Sequence, residues 1–149
     1  MKKLSIAFIL VLFISLSSFA GRPADNIPAF KGVQNFMQTF PQATEVECKN
    51  KGEFTEVSFI WNGLKLQAFY DLDGNPVATS RPVSIDNLPV TAQIKLREQY
   101  PGFVARGAIE FDDTNSGLSY YVTVTSAKIA YVLHISGDGN ISVFKKMRN

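Results

Sequence analysis

The chain has 149 residues, of which 46% are hydrophobic and 19% charged, with 15 basic and 13 acidic side chains, one cysteine and one histidine. Two of the basic residues, Lys2 and Lys3, lie at the amino terminus, so residues 4–149 carry 13 charges of each sign. This balance excludes the basic surface that nucleic-acid-binding proteins need. One cysteine excludes an internal disulfide, and one histidine excludes most zinc sites.

The first 20 residues have the pattern of a cleavable signal peptide. Lys2 and Lys3 precede an apolar run over residues 4–16, and Ser18 and Ala20 are small residues at the positions that a signal peptidase reads. An uncleaved anchor is the alternative, but the run of about 13 residues is shorter than the roughly 20 that a spanning helix needs. We therefore predict an exported protein, periplasmic or extracellular, with no membrane span after cleavage.

Residues 21–149 are predicted to form a single domain built of two repeats, about 26–81 and 82–149. The first repeat opens with apolar residues at helical spacing over residues 28–40, with Asp25 or Asn26 as the cap and Pro41 as the stop. Asn62-Gly63 between two alternating runs predicts a type I′ hairpin turn. The predicted strands of this repeat are 44–48, 55–61, 64–71 and 76–81.

The second repeat has the same order of elements. Phe40-Pro41 recurs as Tyr100-Pro101, and the segment at residues 73–75, Asp-Gly-Asn, recurs at residues 138–140. The predicted elements are a helix over residues 90–100 and strands over residues 103–111, 118–125, 128–136 and 141–145. We predict an α+β fold in which two tandem helix-plus-antiparallel-sheet repeats form one continuous curved sheet of about eight strands, with the helices on one face.

Alternation along the strands separates two sheet faces, because successive side chains point to opposite sides. The more apolar set predicts the core beneath the helices: Val57, Phe59, Trp61, Leu66, Ala68, Tyr70, Ile129, Tyr131, Leu133 and Ile135. The other set mixes apolar and polar side chains, as protein interfaces do. From it we predict a partner-binding site: Ile60, Lys65, Gln67, Phe69, Tyr121, Thr123 and His134. An ordinary solvated sheet face is the alternative.

No residues with a catalytic or cofactor-binding pattern emerge from the sequence, and we predict a non-enzymatic protein without a metal or cofactor. Asp71, Asp73 and Asn75 resemble the start of a calcium loop, but Pro76 and Pro82 stand where an EF-hand needs glycine and glutamate, which favours a tight turn. Cys48 is interpreted as a partly buried hydrophobic residue. The alternative is an unrecognised hydrolase that uses His134, although no Gly-x-Ser-x-Gly segment accompanies it.

Several segments together resemble a known family. They are the aromatic-Pro helix ends, Val57-x-Phe59-x-Trp61-Asn62-Gly63, the run of residues 69–75 and the Leu88-Pro89 entry to the second helix. The pattern resembles the exported PepSY-like proteins of Bacteroidetes that are grouped with the beta-lactamase inhibitor protein (BLIP). The resemblance implies that each repeat lays a helix on a four-stranded sheet and that the two sheets join into a concave surface, with which BLIP grips its target enzyme. No inhibitory residues match, so inhibition of a beta-lactamase is not implied.

These observations lead to two hypotheses about function. The first is an exported non-enzymatic binding module, including the case of a protein or enzyme inhibitor, that binds a protein or peptide partner through the uncovered sheet face. The second is a structural or chaperone-like envelope protein that recognises peptide segments by adding them to a free sheet edge. Nucleic acid is not an expected partner of either.

Overall fold

The fold is known from a computed structural model, which describes residues 27–148. The predicted signal peptide and the predicted helix caps Asp25 and Asn26 lie outside the described residues. Within residues 27–148, no helix is long and apolar enough to cross a membrane.

Eight strands form one antiparallel sheet in which each strand pairs with the next along the chain, in the order β1 to β8. This arrangement confirms the predicted α+β fold with one continuous sheet. The elements are α1 (Val33–Thr39), β1 (Thr44–Asn50), β2 (Phe54–Trp61), β3 (Leu64–Asp71), β4 (Pro76–Val83), a 3₁₀ turn η1 (Ile85–Asn87), α2 (Val90–Gln99), β5 (Val104–Asp113), β6 (Gly117–Thr125), β7 (Ile129–Ser136) and β8 (Ile141–Arg148).

The two halves of the sheet pair in the same register. Thr44 faces Ile60 in the first half, and Val104 faces Thr125 in the second. Residues of α1 and β1 thus correspond to residues numbered 60 higher, and residues of β2 and β3 to residues numbered 65 higher. β1 and β5 each contain a register shift soon after this pair. The two halves of the sheet therefore share a hydrogen-bond register, which allows them to be compared residue by residue.

The helices bury one face of the sheet in two clusters, as alternation predicts. In the first repeat, Phe36 of α1 and Phe40, the C-cap of α1, pack on Phe59, with ring centroids 4.9 and 4.6 Å from its own. In the second repeat, Ala92 and Leu96 of α2 pack on β6 and β7. The predicted core residues belong to these clusters or pack against them, apart from Ile129, which is half-buried: Val57, Phe59, Trp61, Leu66, Ala68, Tyr70, Tyr131, Leu133 and Ile135.

The first helix is shorter than predicted, since it begins at Val33 and not at Pro28. The preceding residues form a turn in which Val33 N donates to Phe30 O at 3.1 Å. This segment passes close to β3 and to the first Asp-Gly-Asn turn, since a Cβ on Gly32 would lie 2.6 Å from Tyr70 Cδ1 and 3.0 Å from Gly74 O. Apolar periodicity alone could not show that tertiary contacts hold residues 28–32 outside the helix.

The edge strands are longer than predicted, with β1 extending to Asn50 and β8 to Arg148. The added residues are mostly charged or polar, because an edge strand pairs on one side only and needs less apolar content. The predicted type I′ turn is confirmed by positive φ angles at Asn62 (50°) and Gly63 (76°).

Candidate partner-binding surface

The sheet face opposite the helices, here called the open face, carries its own small cluster of buried residues. Phe69, Ala78 and Phe111 form this cluster, which contains no helix residue. Every member of the predicted site lies on this face by strand parity and register. The open face therefore brings together residues from both repeats.

An aromatic row runs across the open face and consists of Phe54, Phe69, Phe111, Tyr121 and Phe144. Successive ring centroids are 6.0, 5.9, 6.3 and 5.2 Å apart. Phe69 and Phe111 meet although β4 lies between their strands, because the β4 residue paired with Phe69 is Ala78. A small side chain at this place lets the two rings lean together over β4.

The centre of this row is closed to solvent. Phe69 is only 1% exposed and Phe111 6% exposed, whereas Tyr121 and Phe144 are half-buried. Phe69, which alternation placed among the candidate contact residues, therefore supports the surface from below in the free protein. Tyr121, like Phe54 and Phe144 at the ends of the row, keeps both a ring packed in the row and accessible surface.

A polar cluster adjoins the row in the first repeat. The Gln67 amide nitrogen donates to Glu56 Oε1 at 3.2 Å and to Ser58 Oγ at 3.3 Å, and Ser80 Oγ donates to Gln67 Oε1 at 3.4 Å. Glu56 is 3% exposed and forms an ion pair with Lys51 at 3.6 Å. Gln67, a predicted contact residue, is 7% exposed and holds strands β2, β3 and β4 together.

The accessible part of the open face is a second line of side chains, here called the exposed row. Strand register pairs Ile60 with Lys65, Pro82 with Ile109, Ile109 with Tyr121, and Tyr121 with His134. Each of these side chains is half-buried or exposed. Pro82 lies two residues beyond Ser80, which pairs with Gln67, so the row continues from β3 to β4.

Four of the seven predicted site residues belong to the exposed row: Ile60, Lys65, Tyr121 and His134. Thr123, also half-buried, lies beside the row and pairs with Val132. Pro82 and Ile109 also belong to the exposed row, although they are not among the residues predicted from the sequence. Alternation along β5 would have identified Ile109, which shares its parity with Phe111.

Tyr121 is the meeting point of the two rows and has an apolar environment. Its ring lies 5.1 Å from that of His134 and 5.2 Å from that of Phe144. Burial, and to a smaller extent the charge of Asp113, raises the pKa of the Tyr121 hydroxyl. Burial also lowers the pKa of His134 below its ordinary value of 6.5. Both groups are therefore uncharged at neutral pH, as is typical of the centre of an interface.

The Asp-Gly-Asn segments are turns, as predicted. The Asp71 carboxylate accepts hydrogen bonds from the backbone amides of Asp73 and Asn75 and from the Asn75 side chain, at 2.8 to 3.0 Å. These bonds lower the pKa of Asp71. In the described part of the chain, no group of three or more His, Cys, Asp or Glu side chains could hold a metal ion.

Comparison with known proteins relates this arrangement to a group of Bacteroides structures. No family model and no curated protein matches the chain. A BLIP-like protein from Bacteroides fragilis is 20% identical with a TM-score of 0.66, over 84% of this chain and 89% of that chain. A DUF2874 family protein from Bacteroides uniformis is 14% identical with a TM-score of 0.70, over 81% and 89%.

A protein from Bacteroides eggerthii that is proposed to be periplasmic is 12% identical with a TM-score of 0.70, over 83% of this chain and 89% of that chain. At these identities the likeness concerns the fold. The resemblance predicted from the helix ends and turn segments is thus confirmed at the level of structure: the chain has the fold of BLIP-like and DUF2874 proteins of Bacteroides.

Proposed function

We propose that this protein is an exported, non-enzymatic binding module that holds a protein partner on the open face of its sheet. The observation that carries the proposal is the exposed row, in which accessible apolar, aromatic and polar side chains from both repeats align across the strands. Strand spacing of about 4.8 Å gives the row from β2 to β7 a length of roughly 24 Å. A standard interface covers about 800 Å² on each partner, which is a patch of similar width.

The composition of the exposed row supports protein recognition. Tyr121 lies in it with its ring supported by the aromatic row, and rigid aromatic side chains supply much of the binding energy of interfaces. Because its ring already packs on Phe111 and Phe144, Tyr121 has less side-chain freedom to lose on binding. The fold shared with a BLIP-like protein is consistent with binding through the sheet. Inhibition of a partner enzyme is the most specific form of the proposed function.

The signal-peptide pattern and the fold shared with a protein proposed to be periplasmic both support an exported location. Recognition by sheet-edge addition is less well supported. β1 carries charged Glu47 and Lys49 and a register shift, and β8 carries Lys145, Lys146 and Arg148. Charged residues and bulges on edge strands oppose the pairing of a further strand.

Site-specific photo-crosslinking tests the proposal. A photoreactive phenylalanine analogue at position 121 is compared with the same analogue at Gln99, an exposed residue on the helix side. In envelope extract of the producing organism, we expect a protein that crosslinks at position 121 and not at position 99. In a binding assay with that protein after purification, the Tyr121→Ala variant should bind at least about 30-fold more weakly, because an interface hot spot contributes about 2 kcal/mol or more.

Two further variants sharpen the test. Tyr121→Phe keeps the ring and should keep most of the affinity, whereas Gln99→Ala should bind as the wild type. Equal affinity of the wild type and Tyr121→Ala would contradict the open face as the site. Loss of binding in Val143→Pro, a change in the edge strand β8, with no effect of Tyr121→Ala would support edge addition instead.

A further inference from the structure

A pocket of about 240 Å³ lies on the helix side of the second repeat, between η1, α2 and strands β5 and β6. Leu96, Tyr100 and Val124 contribute apolar surface to it, and Asp86 and Arg97 contribute opposite charges. Its size is slightly below that of typical ligand pockets, of about 300 to 1,000 Å³, and suits a ligand with a single ring system. It is separate from the open face, so an inference from it does not depend on the function proposed above.

The first repeat has aromatic rings where the second has this pocket. The shared register makes Phe36 the counterpart of Leu96, and Phe59 the counterpart of Val124. Phe36 and Phe59 pack edge to face at 4.9 Å in the first repeat. Two aliphatic side chains at the same places fill less space, so they leave room between α2 and the sheet that rings fill in the first repeat.

The second repeat also has a smaller side chain at the end of the strand, where β2 of the first repeat corresponds to β6 of the second. Trp61 follows Phe59 by two residues, and Ser126 follows Val124 by two. The Trp61 ring packs on Phe40 at 5.6 Å and its Nε1 donates to Pro41 O at 2.9 Å. Since the chain contains one tryptophan, no indole takes that place in the second repeat.

At one position the second repeat has the larger side chain, because Phe103 corresponds to Ala43. The Phe103 ring packs against Tyr131 at 5.6 Å and against Tyr100 at 5.8 Å. It thus forms a wall of the pocket and does not fill it. The result is a cavity with aromatic walls, to which a planar ring is complementary.

The charged residues of the pocket are not neutralised by each other. None of the four ion pairs in residues 27–148 involves Asp86 or Arg97. Asp86 is held in place, since its backbone N donates to Ser84 Oγ at 3.3 Å and its carbonyl accepts from the Gln93 amide at 3.1 Å. A carboxylate on a fixed backbone and a guanidinium beside an apolar pocket are complementary to a ligand that carries an ammonium and a carboxylate group.

We propose that this pocket binds a free aromatic amino acid. The ring enters beside Leu96 and Val124, the α-carboxylate pairs with Arg97, and the α-ammonium group pairs with Asp86. The pocket thereby receives from solution the kind of ring that Phe59 and Trp61 provide within the first repeat.

Titration of the ¹⁵N-labelled protein with L-tryptophan and L-phenylalanine, followed by amide chemical shifts, tests the proposal. We expect saturable shifts centred on Ala105, Val124 and Arg97, which line the pocket. N-acetyl-tryptophanamide has the ring without the two charges and should bind about 5- to 10-fold more weakly, because two exposed charge pairs are lost. L-leucine, which has both charges without an aromatic ring, should also bind more weakly.

Variants distinguish the contribution of the ring-binding part of the pocket from that of its two charged residues. Val124→Phe restores the residue found in the first repeat and should abolish binding, whereas Val143→Phe, an equal enlargement at an exposed edge position, should not. Arg97→Gln and Asp86→Asn leave the core intact and should each weaken L-tryptophan binding several-fold without affecting N-acetyl-tryptophanamide. Absence of saturable shifts with both amino acids, or unchanged L-tryptophan affinity in both charge variants, would overturn the proposal. If Val124→Phe fails to fold, the charge variants decide it alone.

Discussion

Lys95 Nζ donates a hydrogen bond to the carbonyl oxygen of Gly139 at 3.2 Å. Asn35, the counterpart of Lys95 in the first repeat, donates to the carbonyl oxygen of Gly74 at the same distance of 3.2 Å. Each helix is therefore tied at the same position to the Asp-Gly-Asn turn of its own repeat. The turn segments that revealed the repeat thus dock the helices on the sheet.

Close approach of the first helix segment to its turn makes Gly74 sensitive to substitution. A Cβ at Gly74 would lie 2.7 Å from Lys31 C and 2.8 Å from Gly32 N, and φ is 88°. Gly63 has a similar φ of 76° with open space around it. We expect Gly63→Ala to cost about 1 to 2 kcal/mol of unfolding free energy from backbone strain alone, and Gly74→Ala roughly 1 to 3 kcal/mol more from the clash.

Urea unfolding followed by the fluorescence of Trp61, the sole tryptophan, measures both costs. Equal destabilisation by the two substitutions would contradict the close packing of this turn against residues 31 and 32.

Burial of Phe69 predicts a structural role for this open-face residue. At 1% exposure, it is as buried as Phe59 beneath the helices. Phe69→Ala should therefore cost about 3 to 5 kcal/mol, similar to Phe59→Ala, whereas Tyr121→Ala should cost less because its side chain is half-buried. Thermal unfolding of the three variants checks the order. A Phe69→Ala variant as stable as the wild type would show that the aromatic row does not pack in solution.

The buried Glu56 carboxylate predicts strong coupling with Lys51. Lys51→Met removes the cation 3.6 Å from a carboxylate that is 3% exposed, and should cost roughly 1 to 3 kcal/mol. Glu56→Gln removes the charge and leaves an amide oxygen that can accept from Gln67. In the double variant, most of the cost of Lys51→Met should therefore disappear. A double-mutant cycle by chemical unfolding measures this coupling, and additive effects of the two changes would contradict it.

The hydrogen bonds to Asp71 predict an acid-sensitive contribution to stability. These bonds lower the pKa of Asp71 below 3.8, so the unfolded chain takes up a proton at higher pH than the folded protein does. The stabilisation is therefore present above about pH 4 and is lost as the pH falls through the pKa of the folded state. The wild type should be more stable than Asp71→Asn near pH 6, and this difference should shrink towards pH 3.

Glu98→Gln, which removes an exposed carboxylate from α2, is the control for the change in net charge. A difference in stability between the wild type and Asp71→Asn that stays constant from pH 6 to pH 3 would contradict the role given to the Asp71 hydrogen bonds.

The α+β class with one continuous sheet, the hairpin turn at Asn62-Gly63 and nine of the ten core residues could be predicted from the sequence. These features depend on local rules: strand alternation, the backbone freedom of Asn-Gly, and the stop that Pro41 and Pro101 impose on the helices. The shortened first helix could not be predicted, because Gly32 is placed by its contact with Tyr70, far away along the chain.

Alternation determined by itself which side chains share the open face, and it placed Phe69 and Tyr121 there together. Only the tertiary structure decided that Phe69 is closed to solvent while Tyr121 remains accessible, because small Ala78 on β4 lets the Phe111 ring cover Phe69. The pocket of the second repeat was likewise decided in three dimensions. Its volume depends on the combined size of the side chains that helix and strands bring together from distant parts of the chain.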